Sequence, residues 1–220
     1  MIRFIFGFLF ILLITIPSSD LSGQDIEDIV PEISEAIGLD DDQTAALKTQ
    51  MEKYAISLQL IFDKNEEGEP DPQAMLTDIK HAREEYHKAL KADIGKEKFQ
   101  AYEGFVEQVQ LEILGEVAGL RLLDLQDPLK MTDDQVVQMK PVMARAMKDV
   151  MGTLMKYVDK KMNIRNKLGI ANSMKSAKKT MERSTAEILT GEQIAKWEEI
   201  KEAAKAEKEA AKAGGEDSGQ

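Results

Sequence analysis

The segment LTGEQ, residues 189–193, decides the fold of the second half of this chain, and a variant of it, MTDDQ, occupies residues 131–135. In both segments a threonine is followed three residues later by a glutamine, which is the spacing of a capping box. The threonine hydroxyl accepts a hydrogen bond from the backbone N–H of the glutamine, and the glutamine side chain accepts one from the backbone N–H of the threonine. Each segment therefore predicts the start of an α-helix.

Two fainter copies of the segment lie upstream. LDDDQ (39–43) keeps the pattern with an aspartate as the cap, whereas IGKEK (94–98) keeps only the apolar staple, Ile94 with Phe99. In a staple the residue before the cap packs on the fourth helical residue. The residues that we expect to start helices in this way are Leu39, Asp40, Gln43, Met131, Thr132, Gln135, Leu189, Thr190 and Gln193.

The spacing of the four segments indicates an internal duplication. The first and third segments start 92 residues apart, and the second and fourth start 95 apart, as do Tyr102 and Trp197. Offsets of nearly the same length are typical of tandem repeats. We therefore expect two three-helix repeats of elongated antiparallel hairpins, at residues 24–127 and 128–213.

The fold class predicted from composition is all-α. The chain has only 6 Pro, long stretches of good helix formers, and no alternating β-branched run. We expect a connector at residues 125–129, a kink or the true helix start at Pro141, and a break at residues 168–169 before a helix that ends at 188. The other expected helices cover residues 40–62, 72–92, 96–123, 132–161 and 190–213, followed by a disordered tail at 214–220.

Residues 1–23 have the composition of a secretory signal peptide. Arg3 precedes an apolar run at residues 4–16, and small residues follow at Ser22 and Gly23. The run is shorter than the roughly 17 to 25 residues of a spanning helix, although an uncleaved anchor is the alternative. We expect a periplasmic protein, and because the chain has no cysteine, its stability must come from helix packing rather than from disulfides.

Charge is distributed unevenly along the chain. The net charge is −11, yet residues 140–183 hold 12 basic residues and only 3 acidic ones. Residues 24–127 hold 10 basic against 25 acidic residues. Such asymmetry predicts a partner of opposite sign, either another molecule or the acidic first half itself.

A methionine occurs at every fourth position from 139 to 155. On a helix this row winds slowly around one side, beside a second apolar column, and widens the apolar face. Flexible thioether side chains suit irregular apolar ligands, and neighbouring cations attract acidic ones. One interpretation is therefore a client-binding surface, and the other is an ordinary buried core. The candidate client-binding residues are Met139, Met143, Met147, Met151, Met155, Lys140, Arg145, Lys148 and Lys156.

Other kinds of site have little support in the sequence. Glu84 and His87 form one Glu-x-x-His pair, but a di-iron bundle needs two. The chain has no cysteine nucleophile and no phosphate-binding glycine-rich loop. We therefore expect no catalytic residues, no cofactor, no metal, no small-molecule substrate and no nucleic-acid partner.

The four segments resemble the motif of the LTxxQ family of small periplasmic proteins, the Spy/CpxP-like stress chaperones. Residues 189–193 match the motif in full, while residues 131–135 depart from it at the first position and residues 39–43 at the second. Members have two motifs per chain, form cradle-shaped helical dimers and bind unfolded proteins without ATP. Because this chain has the motif content of two members, the resemblance implies a fused pseudo-dimer that is monomeric or a homodimer.

The function implied by this resemblance is an ATP-independent periplasmic chaperone, or holdase, for non-native envelope proteins. The alternative is a helical regulatory or adaptor protein of envelope-stress signalling with one defined partner. The two differ in breadth of binding, since a chaperone suppresses aggregation of several unrelated denatured proteins and an adaptor does not.

Overall fold

A computed structural model describes the backbone of residues 23–66 and 71–215, and the side chains of residues 26–65 and 71–207. The described chain forms six helices and no strand, which confirms the all-α class. The helices are α1 (Gly23–Ile37), α2 (Asp41–Glu66), α3 (Pro72–Leu129), α4 (Asp133–Tyr157), α5 (Ile164–Ile188) and α6 (Gly191–Gly215). None of the helices described is both long enough and apolar enough to cross a membrane. The expected signal peptide up to residue 22 and the tail from residue 216 lie outside the described residues.

The described helices pack into two compact units. Unit 1 comprises the described residues up to Ile113 together with Lys148–Met174, and unit 2 comprises Leu114–Met147 together with the described residues from Lys175 onward. Each unit thus draws on both of the predicted repeats, 24–127 and 128–213. The duplication itself is a statement about sequence and stays a prediction.

Unit 1 has an aromatic core. Tyr86 stacks on Tyr54 at a centroid distance of 4.9 Å, and its buried hydroxyl donates a hydrogen bond of 2.9 Å to the hydroxyl of Tyr102. Burial raises the pKa of Tyr54 to about 12 and raises that of Tyr86 as well. Apolar residues of three helices complete this core: Ile26, Val30, Ile33, Ile37, Leu47, Leu90, Ile94 and Phe99.

Unit 2 has a smaller core of aliphatic side chains, methionine and tryptophan. Met139 is buried, and Trp197 packs against the cluster from α6. Met131 lies with Val136, and Leu189 with Ile194, in this same cluster, as expected for two hydrophobic staples. The buried members are Leu122, Leu129, Met131, Val136, Met139 and Leu189.

The connector expected at residues 125–129 and the helix start expected at Pro141 are both contradicted. Residues 125–129 are not a connector, because α3 continues to Leu129. Farther upstream, Gly95 has non-helical angles (φ 82°, ψ 164°) and interrupts α3. Pro141 does not mark a helix start, since α4 begins eight residues earlier and continues past it.

The break between α4 and α5 lies at residues 158–163 rather than at 168–169. Asn163 caps α5, since its Oδ1 accepts a hydrogen bond of 2.9 Å from the backbone N–H of Asn166. Gly169 lies inside the helix, where a Cβ would collide with the Tyr157 hydroxyl. The glycine therefore allows a close approach of Tyr157 and does not break the helix.

Candidate functional site

All three predicted capping boxes form. The backbone N–H of Gln43 donates to Asp40 Oδ1 at 2.8 Å, and that of Asp40 donates to Gln43 Oε1 at 3.2 Å. The corresponding distances are 3.2 and 3.0 Å for Thr132 with Gln135. For Thr190 with Gln193 they are 3.3 and 2.9 Å. The sequence pattern therefore locates three helix starts correctly.

In unit 2 the two glutamines of these boxes also bind each other. Gln135 Nε2 donates to Gln193 Oε1, and Gln193 Nε2 donates to Gln135 Oε1, both at 3.0 Å. Gln135 Nε2 also donates to the carbonyl of Ile188, just before the segment 189–193, at 3.0 Å. Gln193 Nε2 donates to the carbonyl of Lys130, just before the segment 131–135, at 3.1 Å. Both amide hydrogens and both acceptor sites of each glutamine are thus used. A glutamate would form the same cap but has no N–H to donate, which explains why glutamine occupies this position.

Unit 1 contains a similar pair of helix starts with a lysine in place of one glutamine. Gln43 Nε2 donates to the carbonyl of Ile94 at 3.2 Å. Lys98, the fifth residue of IGKEK, donates from Nζ to the carbonyls of Gly38 and Ile37 at 2.6 and 3.1 Å. This role of Lys98 was not predicted from the sequence, because the segment IGKEK lacks a polar cap.

The turns before the first and third segments close in the same way. The backbone N–H of Leu39 donates to the carbonyl of Ser34, and the N–H of Gly38 donates to that of Glu35. At an offset of 92 residues, the N–H groups of Met131 and Lys130 donate to the carbonyls of Gln126 and Asp127. Both are Schellman motifs, with Gly38 (φ 66°) and Lys130 (φ 49°) in the left-handed conformation.

The methionine row divides between core and surface. Met139 is 1% exposed and belongs to the core of unit 2, so it presents no surface for a client. Met143 and Met147 are half-buried in the same unit. In unit 1, Met151 is buried and Met155 is half-buried, and both line a groove. Neither of the two simple interpretations, all core or all surface, describes the whole row.

The groove in unit 1 has a volume of about 560 Å³. Its apolar wall comes from α4 through Met151, Leu154 and Met155. Its other walls hold four cations and two carboxylates: Lys80, Arg83 and Glu84 from α3, and Lys148, Asp149 and Lys156 from α4. The groove thus unites four of the candidate client-binding residues, and it combines apolar surface with positive charge.

Ion pairs bind two of these cations, and the other two have no ion pair with any described residue. Lys80 lies 2.6 Å from Asp159, which lowers the pKa of that carboxyl, and Lys148 pairs with Glu107. Arg83 and Lys156 are exposed and have no such acidic partner. The groove therefore keeps two cations that can meet acidic groups of a ligand.

His87 lies at the edge of the groove, half-buried and edge-on to the ring of Phe99 at 5.4 Å. Burial, with the nearby Arg83 guanidinium, lowers the pKa of His87 to about 4. The imidazole is therefore neutral near pH 7, and the positive charge of the groove comes from lysine and arginine. The segments of chain described here contain no group of three or more metal-ligating His, Cys, Asp or Glu side chains.

The remaining candidate cations lie in unit 2. Lys140 pairs with Glu116 at 3.3 Å. Both residues lie at a groove of about 280 Å³ that is lined by three exposed apolar side chains, Leu120, Leu123 and Val137. Arg145 is exposed. These two residues do not join the unit 1 groove, so the nine predicted client-binding residues do not form one site.

No protein-family model, curated protein or solved structure matches the chain. The resemblance to the LTxxQ family accordingly depends on the four short segments alone and stays a prediction.

Proposed function

We propose that the protein is an ATP-independent holdase that binds apolar segments of non-native polypeptides in the groove of unit 1. The observation that supports this most is the meeting of Met151, Leu154 and Met155 with Arg83 and Lys156 in one open groove. Methionine adapts to side chains of many shapes, which suits a binder of unrelated clients. The location that we propose is the periplasm, after removal of the N-terminal segment.

The chemistry of the groove defines the preferred client segment. A volume of about 560 Å³ takes a few side chains rather than a folded domain. The cations favour segments in which acidic residues flank the apolar ones, and salt weakens such binding by screening. We therefore expect clients with mixed apolar and acidic stretches to be bound best.

The decisive experiment measures aggregation of several unrelated denatured proteins with the wild-type chain and with a groove variant, Leu154→Ser with Met155→Ser. These residues are only partly buried, so the variant is expected to fold, which circular dichroism checks. We expect the apparent affinity for clients to fall about tenfold because both side chains lose their contact with the ligand. A charge variant, Arg83→Gln with Lys156→Gln, should reduce both affinity and its dependence on salt.

Matched controls on α2 are Ile56→Ser and Lys53→Gln, which change exposed residues of the same unit outside the groove. They should leave suppression of aggregation unchanged. Equal loss of suppression in control and groove variants would overturn the site. Failure of the wild-type chain with every client, combined with capture of a single defined partner, would overturn the holdase function in favour of the adaptor.

A further inference from the structure

The turn between α4 and α5 carries large apolar side chains that the fold does not cover. Ile164 is 78% exposed, Leu168 58% and Met162 49%, and Ile164 is the most exposed large apolar side chain among those described. Ile164 and Leu168 are four residues apart at the start of α5 and therefore lie on the same side of the helix. Met162 immediately precedes the cap residue Asn163.

Four cations flank these apolar residues. Lys160, Lys161, Arg165 and Lys167 are all exposed, and none of them forms an ion pair with a described residue. No acidic residue occurs between Asp159 and Glu182, and Asp159 already pairs with Lys80. In a chain with a net charge of −11, this is a local concentration of positive charge. We call Met162, Ile164, Leu168 and these four cations the apolar–basic patch.

We propose that the apolar–basic patch docks on the surface of a membrane that contains anionic phospholipids. Exposed apolar side chains beside lysine and arginine are the composition of segments that lie in the lipid interface, where apolar groups enter the headgroup region and cations meet phosphates. The net negative charge of the chain opposes such contact elsewhere, so charge directs this patch to the lipid.

A polypeptide is the less suitable occupant. None of the seven patch residues lines either of the two grooves described above, so neither groove extends to the patch. Binding to a lipid surface does not require a groove in the protein, because the lipids enclose each apolar side chain that inserts between them. The contact does not depend on the proposed holdase function, since the patch and the unit 1 groove share no residue.

A fluorophore at position 164 tests the proposal in the full chain. The chain has no cysteine, so Ile164→Cys gives a single site for a polarity-sensitive label. We expect its emission to shift to the blue with vesicles of phosphatidylcholine and phosphatidylglycerol, to stay unchanged with phosphatidylcholine alone, and to revert at high salt. The matched control, Ile56→Cys, places the label at an exposed site on α2 and should show no shift.

A charge variant separates the patch from general attraction. Lys161→Gln with Arg165→Gln should lower the apparent affinity for the anionic vesicles by about 25-fold, since each cation near such a surface contributes about fivefold. Lys53→Gln with Lys88→Gln, two exposed lysines outside the patch, should have little effect. Suppression of aggregation should be retained in both variants.

Three results would overturn the proposal: no shift at position 164, an equal shift at position 56, or a shift produced by an acidic polypeptide such as polyglutamate but not by vesicles. The last would assign the patch to acidic polypeptides instead. Loss of aggregation suppression alone, with the shift at 164 intact, would count against the holdase and leave the membrane contact standing.

Discussion

The paired helix starts of unit 1 and unit 2 use the same backbone hydrogen bonds with different side chains. Asp40 and Thr132 are both caps, and Gly38 and Lys130 both adopt the left-handed conformation. The donor that reaches the preceding carbonyl is Lys98 in one unit and Gln193 in the other. The geometry of these helix starts therefore requires one long side-chain donor and a closed turn, and several residue types meet this requirement.

The cores differ more than the turns. Three pairs of buried positions are separated by 92 residues, Val30 with Leu122, Ile37 with Leu129 and Leu47 with Met139, while the duplication stays a prediction. Yet unit 1 has three packed tyrosines, whereas unit 2 has methionine and one tryptophan. The groove that contains Arg83 and Lys156 belongs to the unit with the aromatic core.

The largest expected effect comes from truncating the corresponding core residues Leu47 and Met139, which are 0% and 1% exposed. Each change to alanine should cost about 2 to 5 kcal/mol, because it leaves a cavity in a packed core. Trp197 is the only tryptophan and lies in unit 2, so its fluorescence reports on that unit. Met139→Ala should lower the Trp197 unfolding midpoint more than Leu47→Ala does, while circular dichroism detects both. Equal shifts of the Trp197 midpoint would show that the two units unfold as one.

Gln193→Glu should have the next largest effect. The cap is retained, but the donors to Lys130 and Gln135 are lost, and because these two acceptors are exposed and partly buried, respectively, the change should cost about 1 kcal/mol. Gln43→Glu in unit 1 loses only the donor to Ile94, so its cost in the free energy of unfolding should be smaller. Chemical denaturation measures both. If the two changes cost the same, the amide pair of unit 2 contributes nothing beyond an ordinary cap.

The smallest effect concerns the left-handed residues of the two turns. Lys130→Gly should raise the free energy of unfolding by about 1 kcal/mol or less, since glycine relieves the steric cost of a positive φ. Gly38→Ala should lower it by a similar amount, because the backbone is strained and the new Cβ would lie 3.2 Å from Lys98 Nζ. Thermal unfolding at matched concentrations compares them, and two changes of the same sign would contradict the correspondence of the turns.

Local features of the fold were predictable from sequence, and contacts between distant residues were not. The capping boxes depend on residues three apart, so Thr132 with Gln135 was sufficient to locate the start of α4. Gly169 was misinterpreted as a break because its reason, the approach of Tyr157, lies in tertiary packing. The hydrogen bond from Lys98 Nζ reaches the carbonyl of Gly38, 60 residues away, and no local sequence pattern specifies such a contact.

The candidate site was predictable only in its composition. Methionine spacing and lysine content identified α4, yet the pattern did not show that Met139 is buried while Met155 lines a groove. That division depends on which residues of α3 face each turn of α4. Arg83 and His87 were missing from the predicted site for the same reason, since they lie on another helix.

Leu39 and Met131 each lie between two helices and contribute to the end of one and the start of the next. The backbone N–H of each residue closes the end of the preceding helix, and its side chain packs where the next helix starts. The length of these turns is therefore constrained. A single inserted residue would move the backbone hydrogen bond and the packed side chain to different residues, and one helix would have to rotate by about 100° relative to the core. We therefore expect a single-residue insertion at either turn to destabilise the protein more than a conservative apolar substitution of Leu39 or Met131 does.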